Sequence, residues 1–330
     1  MALPFLSHSR QTGFGSNSST GQVGLARLRK LLGAAGQGLP FQDNSVLITG
    51  RRMDAMKKIW LITGCSNGLG YHLAEAVLNR GDQLVATARK IETLRDLEER
   101  FADRIRLAQL DVRRPETAVA AVALALEAFG GLDVLVNNAG YGLIGAVEEA
   151  VAAEYRPLFE TNVFGLIEVI RAALPALRRR AGGRIVNISS GAGVVGSAGY
   201  GYYNASKFAV EGLSEALATE VAPLGIGVII AKPGPLRTSF LGRSVDLAAQ
   251  EMPAYTGTSG IKRQYSKDND GQQSGDPAKA AAVILRAVDS DSPPLHLPLG
   301  PAAFAIVERK ILAYSRDSEA WRTIASDTDY

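Results

Sequence analysis

From Lys57 onward, short apolar runs alternate with longer stretches in which apolar residues recur every three or four positions. The runs Ile59–Thr63, Gln83–Ala88, Ile105–Leu110, Val134–Val136, Arg184–Ser189, Gly227–Ala231 and Leu295–Leu297 are bounded by turn-forming residues and predict buried strands. Helical periodicity covers Gly68–Arg80, Ile91–Phe101, Pro115–Phe129, Val151–Arg180, Tyr203–Ala222 and Pro277–Val288. This alternation predicts a single doubly wound α/β domain over residues 53–330, with a seven-stranded parallel sheet and helices on both faces. Residues 238–275 break the rhythm and turn polar over Lys267–Asp276, as expected of a lid or mobile loop.

Composition sets residues 1–52 apart. They hold six basic side chains and one acid, Asp43, which leaves 30 basic and 32 acidic groups in the remaining chain. The overall charge of +3 therefore belongs to the extension, and the body lacks the basic surplus that nucleic acid demands. The Gly/Ser/Thr/Asn/Gln-rich run from Gly13 to Gly24 predicts a disordered or poorly ordered extension. Its scattered arginines and late first acid suit a targeting segment. A solvated tail or a start at Met53 or Met56 is the plainer account. No run approaches the 18 or so apolar residues of a membrane span. A cytoplasmic location is expected. With one cysteine, Cys65, and three histidines, no metal site is expected.

The first firm strand ends in Thr63-Gly64-Cys65-Ser66-Asn67-Gly68-Leu69-Gly70, which opens a helix. Glycines there allow a tight turn and close backbone approach to a pyrophosphate at the helix N-terminus, as in Rossmann-fold dinucleotide sites. Gly64-Cys65-Ser66-Asn67-Gly68 also spells the G-x-S-x-G elbow of serine hydrolases, with His296 as the sole distant histidine after it. The second strand ends in Thr87-Ala88-Arg89 without an acid, which favours a ribose 2′-phosphate over a 2′-hydroxyl; a solvated helix-start arginine is the plainer reading. Asp111-Val112 and Asn137-Asn138-Ala139-Gly140 close the third and fourth strands, where open α/β sheets bind ligands.

Tyr203 and Lys207 lie four residues apart on one helix face. A neighbouring ammonium is expected to lower the phenol's pKa from about 10, which would suit proton transfer to a carbonyl oxygen. Together with Thr63-Gly64-x-x-x-Gly68-x-Gly70, Asp111, Asn137–Gly140, Asn162, Asn187-Ile188-Ser189-Ser190 and Pro233-Gly234, this pair resembles the short-chain dehydrogenase/reductase family in order and spacing. The resemblance runs from about Lys57 to Thr238. Leu297-Pro298-Leu299-Gly300 and the helix after it resemble a bacterial-type subgroup near retinol- and hydroxysteroid-dehydrogenase-like members.

The resemblance implies an oxidoreductase acting on alcohols and on ketones or aldehydes. Tyr203 would be the general acid/base, Lys207 would hold the nicotinamide ribose, and Ser190 would bond the substrate oxygen, with Ser189 as the adjacent ambiguity. Asn162 would fix a water behind Lys207. Cofactor contacts would come from Gly64, Ser66, Asn67, Gly68, Leu69, Gly70, Arg89, Asp111, Val112, Asn138, Ala139, Gly140, Tyr203, Lys207, Pro233, Gly234 and Thr238. The ending at Arg89 resembles the branch preferring NADP(H), with NAD(H) as the alternative. Asn67 departs from the basic residue that some NADP-preferring members carry. The expected substrate is a small apolar or amphipathic alcohol or carbonyl compound, with Val194, Val195, Tyr200, Tyr202 and Phe240 as candidate pocket wall and residues 238–275 as lid. Family members form homodimers or homotetramers through the helices bearing Asn162 and Tyr203. A dinucleotide-binding scaffold without turnover and a hydrolase using Ser66 are the rival readings.

Overall fold

The computed structural model describes residues 57–180 and 182–330; the expectations for residues 1–52 lie outside them. Strands β1 (Ile59–Ile62), β2 (Gln83–Ala88), β3 (Ile105–Gln109), β4 (Val134–Asn137), β6 (Arg184–Ile188), β7 (Gly227–Pro233) and β9 (His296–Leu299) form one parallel sheet in the order β3-β2-β1-β4-β6-β7-β9. Alternate residues of each strand enter opposite cores. Trp60, Ile62, Leu84, Ala86, Val134 and Val136 point to one face, and Ile59, Leu61, Val85 and Leu135 point to the other. The first face is covered by α1 (Gly68–Asn79), α2 (Arg95–Phe101) and α9 (Pro277–Asp289). The second is covered by α3 (Pro115–Phe129), α5 (Gly165–Leu177) and α6 (Gly201–Val221). Two apolar faces explain why the strands read as continuous apolar runs.

Helix ends follow local chemistry. The Asp276 carboxylate accepts from the N–H groups of Ala278 and Lys279, and Pro277 occupies the first turn of α9. Helix α3 starts at Pro115 and stops at Gly130, whose φ of 81° is left-handed. The long helix expected over residues 151–180 is instead α4 (Ala152–Phe159), a π-helical turn (Glu160–Phe164) and α5. The wider turn lets Asn162 point inward. The seventh strand is His296–Leu299 rather than Leu295–Leu297, and it tolerates Pro298 because it is an edge strand.

Residues 238–275 are more ordered than their polarity suggests. They contain α7 (Phe240–Arg243), β8 (Val245–Leu247) and α8 (Ile261–Asn269). Strand β8 pairs in parallel with β5 (Gly142–Ile144) in a small second sheet. The buried Glu149 carboxylate pins the segment. It accepts from Met252 N at 2.9 Å, from Ala146 N at 2.7 Å and from Ser259 Oγ at 2.7 Å. Arg263 approaches Glu149 at 3.4 Å while donating to the carbonyls of Ala248 and Gln250. These bonds hold Glu149 down at about 2 against the opposing effect of its burial. The last helix, α10 (Pro301–Ala325), touches the body near its start, where Ala303 is buried.

Candidate active site

The sheet order reverses between β1 and β4, and the site opens there, at the carboxyl ends of the strands. The Thr63 hydroxyl accepts from Asn138 N at 2.9 Å and from Ala139 N at 3.0 Å, which ties the two strand ends together. The Asn138 side-chain amide donates to the carbonyls of Thr63 and Gly64, each at 2.9 Å. Asn138 thus braces the glycine turn. Gly64 and Gly68 have φ values of 72° and 57°, a conformation open to glycine at little cost. Helix α1 begins after Asn67 with no side-chain cap and no acid in its first turn. Its first N–H groups are therefore left for an anion.

All but two of the expected site residues line one cavity of about 770 Å³. The exceptions are Gly70 and Asn162. A Cβ at Gly70 would come within 2.3 Å of both the Gly64 carbonyl oxygen and Asn138 Nδ2, so Gly70 serves helix–turn packing. Asn162 is buried behind the wall. Its Oδ1 accepts from Tyr141 N at 3.0 Å, and its Nδ2 donates to Tyr141 O at 2.8 Å and to Ser206 Oγ at 3.1 Å. These bonds hold the chain that follows β4. Asn162 Oδ1 and Lys207 Nζ nevertheless both flank Gly140, 3.0 and 3.7 Å from where a Cβ on it would stand.

Tyr203 and Lys207 sit on the buried face of α6, and Ser189 and Ser190 follow β6. The Ser190 hydroxyl accepts from Ala192 N at 3.1 Å. Ser189 Oγ is buried without a hydrogen-bond partner among the described residues. Lys207 Nζ donates to Ile188 O at 2.8 Å and lies 5.9 Å from the centre of the Tyr203 ring. The expectation that Lys207 lowers the Tyr203 pKa does not hold in this structure. Burial pushes the phenol up to about 12, opposed by the Ser190 hydroxyl. The lysine ammonium is spent on a carbonyl, and burial brings it down to about 8 against the opposing charge of Glu211 one turn further on.

At the β2 and β3 ends, Arg89 is exposed and borders the cavity. Asp111 is gripped by Arg113 through bonds of 2.6 and 3.0 Å, which holds its carboxyl below the ordinary range. Arg113 lies two residues beyond the motif and was missed. Of the expected apolar wall, Val195, Tyr200 and Phe240 line the cavity. Val194 does not, and Tyr202 instead stacks on Tyr155 at 4.5 Å. The sequence reading also missed Tyr141, Leu241, Lys262, Tyr265, Ile306 and Arg309 in the wall. Tyr141 follows a motif directly, and Leu241, Lys262 and Tyr265 fall within the segment expected as a lid; Ile306 and Arg309 carry no local signal.

His296 lies on β9, four strand spacings from β1 and so about 19 Å away across the sheet. It contacts Lys232 at 2.8 Å, which removes the partner that a Ser66 nucleophile requires. Lys232 also pairs with Glu211 at 2.8 Å, so two members of the Glu211–Glu215–His296 group already contact a lysine ammonium.

A glycine turn at the sheet's switch point and a buried Tyr–Lys pair on one helix define an α/β dinucleotide-binding oxidoreductase. The family model for short chain dehydrogenase matches residues 58–247. The oxidoreductase BOA17 of Botryotinia fuckeliana is 37% identical over 82% of this chain and 98% of its own length. Human retinol dehydrogenase 8 is 36% identical over 74% of this chain and 82% of its own. A crystal structure of a short-chain dehydrogenase from Streptomyces avermitilis is 42% identical, covers 83% of this chain and 100% of that one, and superposes with a TM-score of 0.78. The chain belongs to the short-chain dehydrogenase family. A Burkholderia phymatum member solved with NAD is 25% identical over 76% of this chain and 92% of its own, with a TM-score of 0.68. A Burkholderia cenocepacia member solved with NADP is 26% identical over 81% and 97%, with a TM-score of 0.63. A nicotinamide dinucleotide is therefore the cofactor class. Among the described residues, no helix is long and apolar enough to cross a membrane.

Proposed function

We propose that the protein interconverts an alcohol with a ketone or aldehyde, prefers NADP(H) and uses Tyr203 as its acid/base group. The observation that carries this reading is the buried Tyr203 phenol facing the same cavity as Ser190, Lys207 and the uncapped start of α1. The dinucleotide fits these residues. Gly64, Ser66, Asn67, Gly68, Leu69 and Thr238 would hold its pyrophosphate, and Arg89 the 2′-phosphate. Asp111, Val112, Asn138, Ala139, Gly140, Pro233 and Gly234 would flank it. When bound, it supplies or accepts the hydride.

The chain's own groups manage the proton and the geometry. With its pKa near 12, Tyr203 keeps its proton at neutral pH, the form required to protonate a developing alkoxide. Ser190 would donate a second hydrogen bond to that oxygen. Lys207 would leave the Ile188 carbonyl for the ribose hydroxyls and bring its charge toward the phenol. Asn162 would hold the Tyr141 loop in place behind Lys207. Aromatic walls suit an apolar or amphipathic substrate, in keeping with the name of the retinol dehydrogenase relative. The reading retains a cytoplasmic enzyme, a lid over residues 238–275 and a homodimer or homotetramer. The test is a thermal-shift panel with NADPH and NADH, followed by a carbonyl and alcohol screen read by nicotinamide absorbance. NADPH should raise the melting temperature more than NADH, and carbonyl compounds should consume it. A melting temperature unmoved by either cofactor would refute the proposal.

A further inference from the structure

The cavity has a charged far wall that the proton chemistry does not use. Lys262, the second residue of α8, is half-buried. Its Nζ lies 5.3 Å from the centre of the Tyr200 ring and 5.1 Å from that of Tyr265. Tyr200 in turn lies 5.7 Å from Tyr203, ring to ring, so the ammonium stands within about 11 Å of the Tyr203 ring. Arg309, from α10, and Arg243, from α7, reach the same cavity. Among the described residues, none of these three cations has a carboxylate within 4.0 Å, whereas Arg263, next to Lys262, is matched to Glu149. Of the two acids in the wall, Asp111 is gripped by Arg113 and Asp246 acts on Tyr141 beside the small β5–β8 sheet. The cavity wall also includes the apolar Val195, Phe240, Leu241 and Ile306, and the Phe240 ring lies 6.0 Å from that of Tyr203.

We infer that the cavity takes amphipathic carbonyl substrates bearing a carboxylate, with Lys262 receiving the carboxylate while the reacting carbonyl meets Ser190 and Tyr203. This rests on the oxidoreductase reading and narrows its substrate class. The two tyrosine faces position the ammonium without neutralising it. A carboxylate supplies the missing charge and a charge-assisted hydrogen bond. The apolar wall residues fit a hydrocarbon spacer between the two polar ends of the substrate.

The test uses the full chain with NADPH and matched substrates, a series of ω-(4-acetylphenyl)alkanoates and their methyl esters. In the wild type, kcat/KM should favour the acid over its ester by about tenfold or more, through KM, as one charge-assisted bond provides. Lys262→Met keeps most of the stem and should cut the acid-to-ester ratio by about tenfold. Lys262→Arg keeps the charge and should retain the ratio within about threefold. Esters turned over as well as acids, or a ratio that survives Lys262→Met, would overturn the Lys262 assignment and leave the oxidoreductase reading standing. Failure to turn over either class while NADPH still raises the melting temperature would overturn the substrate assignment alone; a melting temperature unmoved by NADPH would overturn the oxidoreductase reading with it.

Discussion

Replacing Arg89 by alanine isolates the proposed cofactor preference. The guanidinium stands at the end of β2 and borders the cavity, while its neighbour Asp111 is already held by Arg113. No carboxylate lies within 4.0 Å of Arg89 among the described residues, so its fork is available to a phosphate. A charge-assisted hydrogen bond is worth roughly 1.5–3 kcal/mol, or about 10- to 150-fold in affinity. Arg89 is exposed, so solvent screening places the effect at the lower end, about tenfold. Wild-type protein should therefore bind NADPH about tenfold more tightly than NADH, and Arg89→Ala should erase most of that ratio by weakening NADPH. Calorimetric titration of both proteins with both cofactors measures it. Equal wild-type affinities, or an NADPH affinity unchanged by the substitution, would refute the reasoning.

Glu149→Ala should leave the buried Arg263 with only the exposed Glu251 at 3.6 Å and cost about 3 kcal/mol, read by chemical denaturation. The depressed Glu149 pKa implies stability that is fully present above the ordinary carboxylate range and lost as pH falls toward about 2. Glu149→Gln should flatten that acid limb in a series of melts against pH; an unaltered limb would refute it. Gly70→Ala forces a Cβ against the Gly64 backbone, should cost about 1–3 kcal/mol and should lower the melting temperature. A melting temperature equal to wild type would show that the turn relaxes freely.

The seven strands of the main sheet were legible because burial on both faces gives unbroken apolar runs, as in Trp60–Ile62 and Val134–Val136. The glycine turn and the Tyr203–Lys207 pair were legible because each is contiguous or one helical turn long. Other features depend on tertiary contact and leave no local trace. Strands β5 and β8 are three residues each, too short for a period. The π-helical turn at Asn162 arises within a stretch whose periodicity reads as one helix. The packing role of Gly70 is visible only once Asn138 lies over it. Lys262 and Ile306 reach the cavity from α8 and α10, outside the motifs. The raised Tyr203 pKa follows from how deeply α6 is buried, which spacing alone does not specify.

The central claim is that Tyr203 moves the proton. Tyr203→Phe keeps the ring that packs beside Tyr200 and Phe240 and removes only the hydroxyl. The decisive measurement is NADPH binding and steady-state reduction of the same carbonyl substrate by wild type and this variant. NADPH affinity should stay within about twofold, and turnover should fall by about 10²-fold or more, the scale of general acid catalysis. Turnover within a few-fold of wild type would contradict the account.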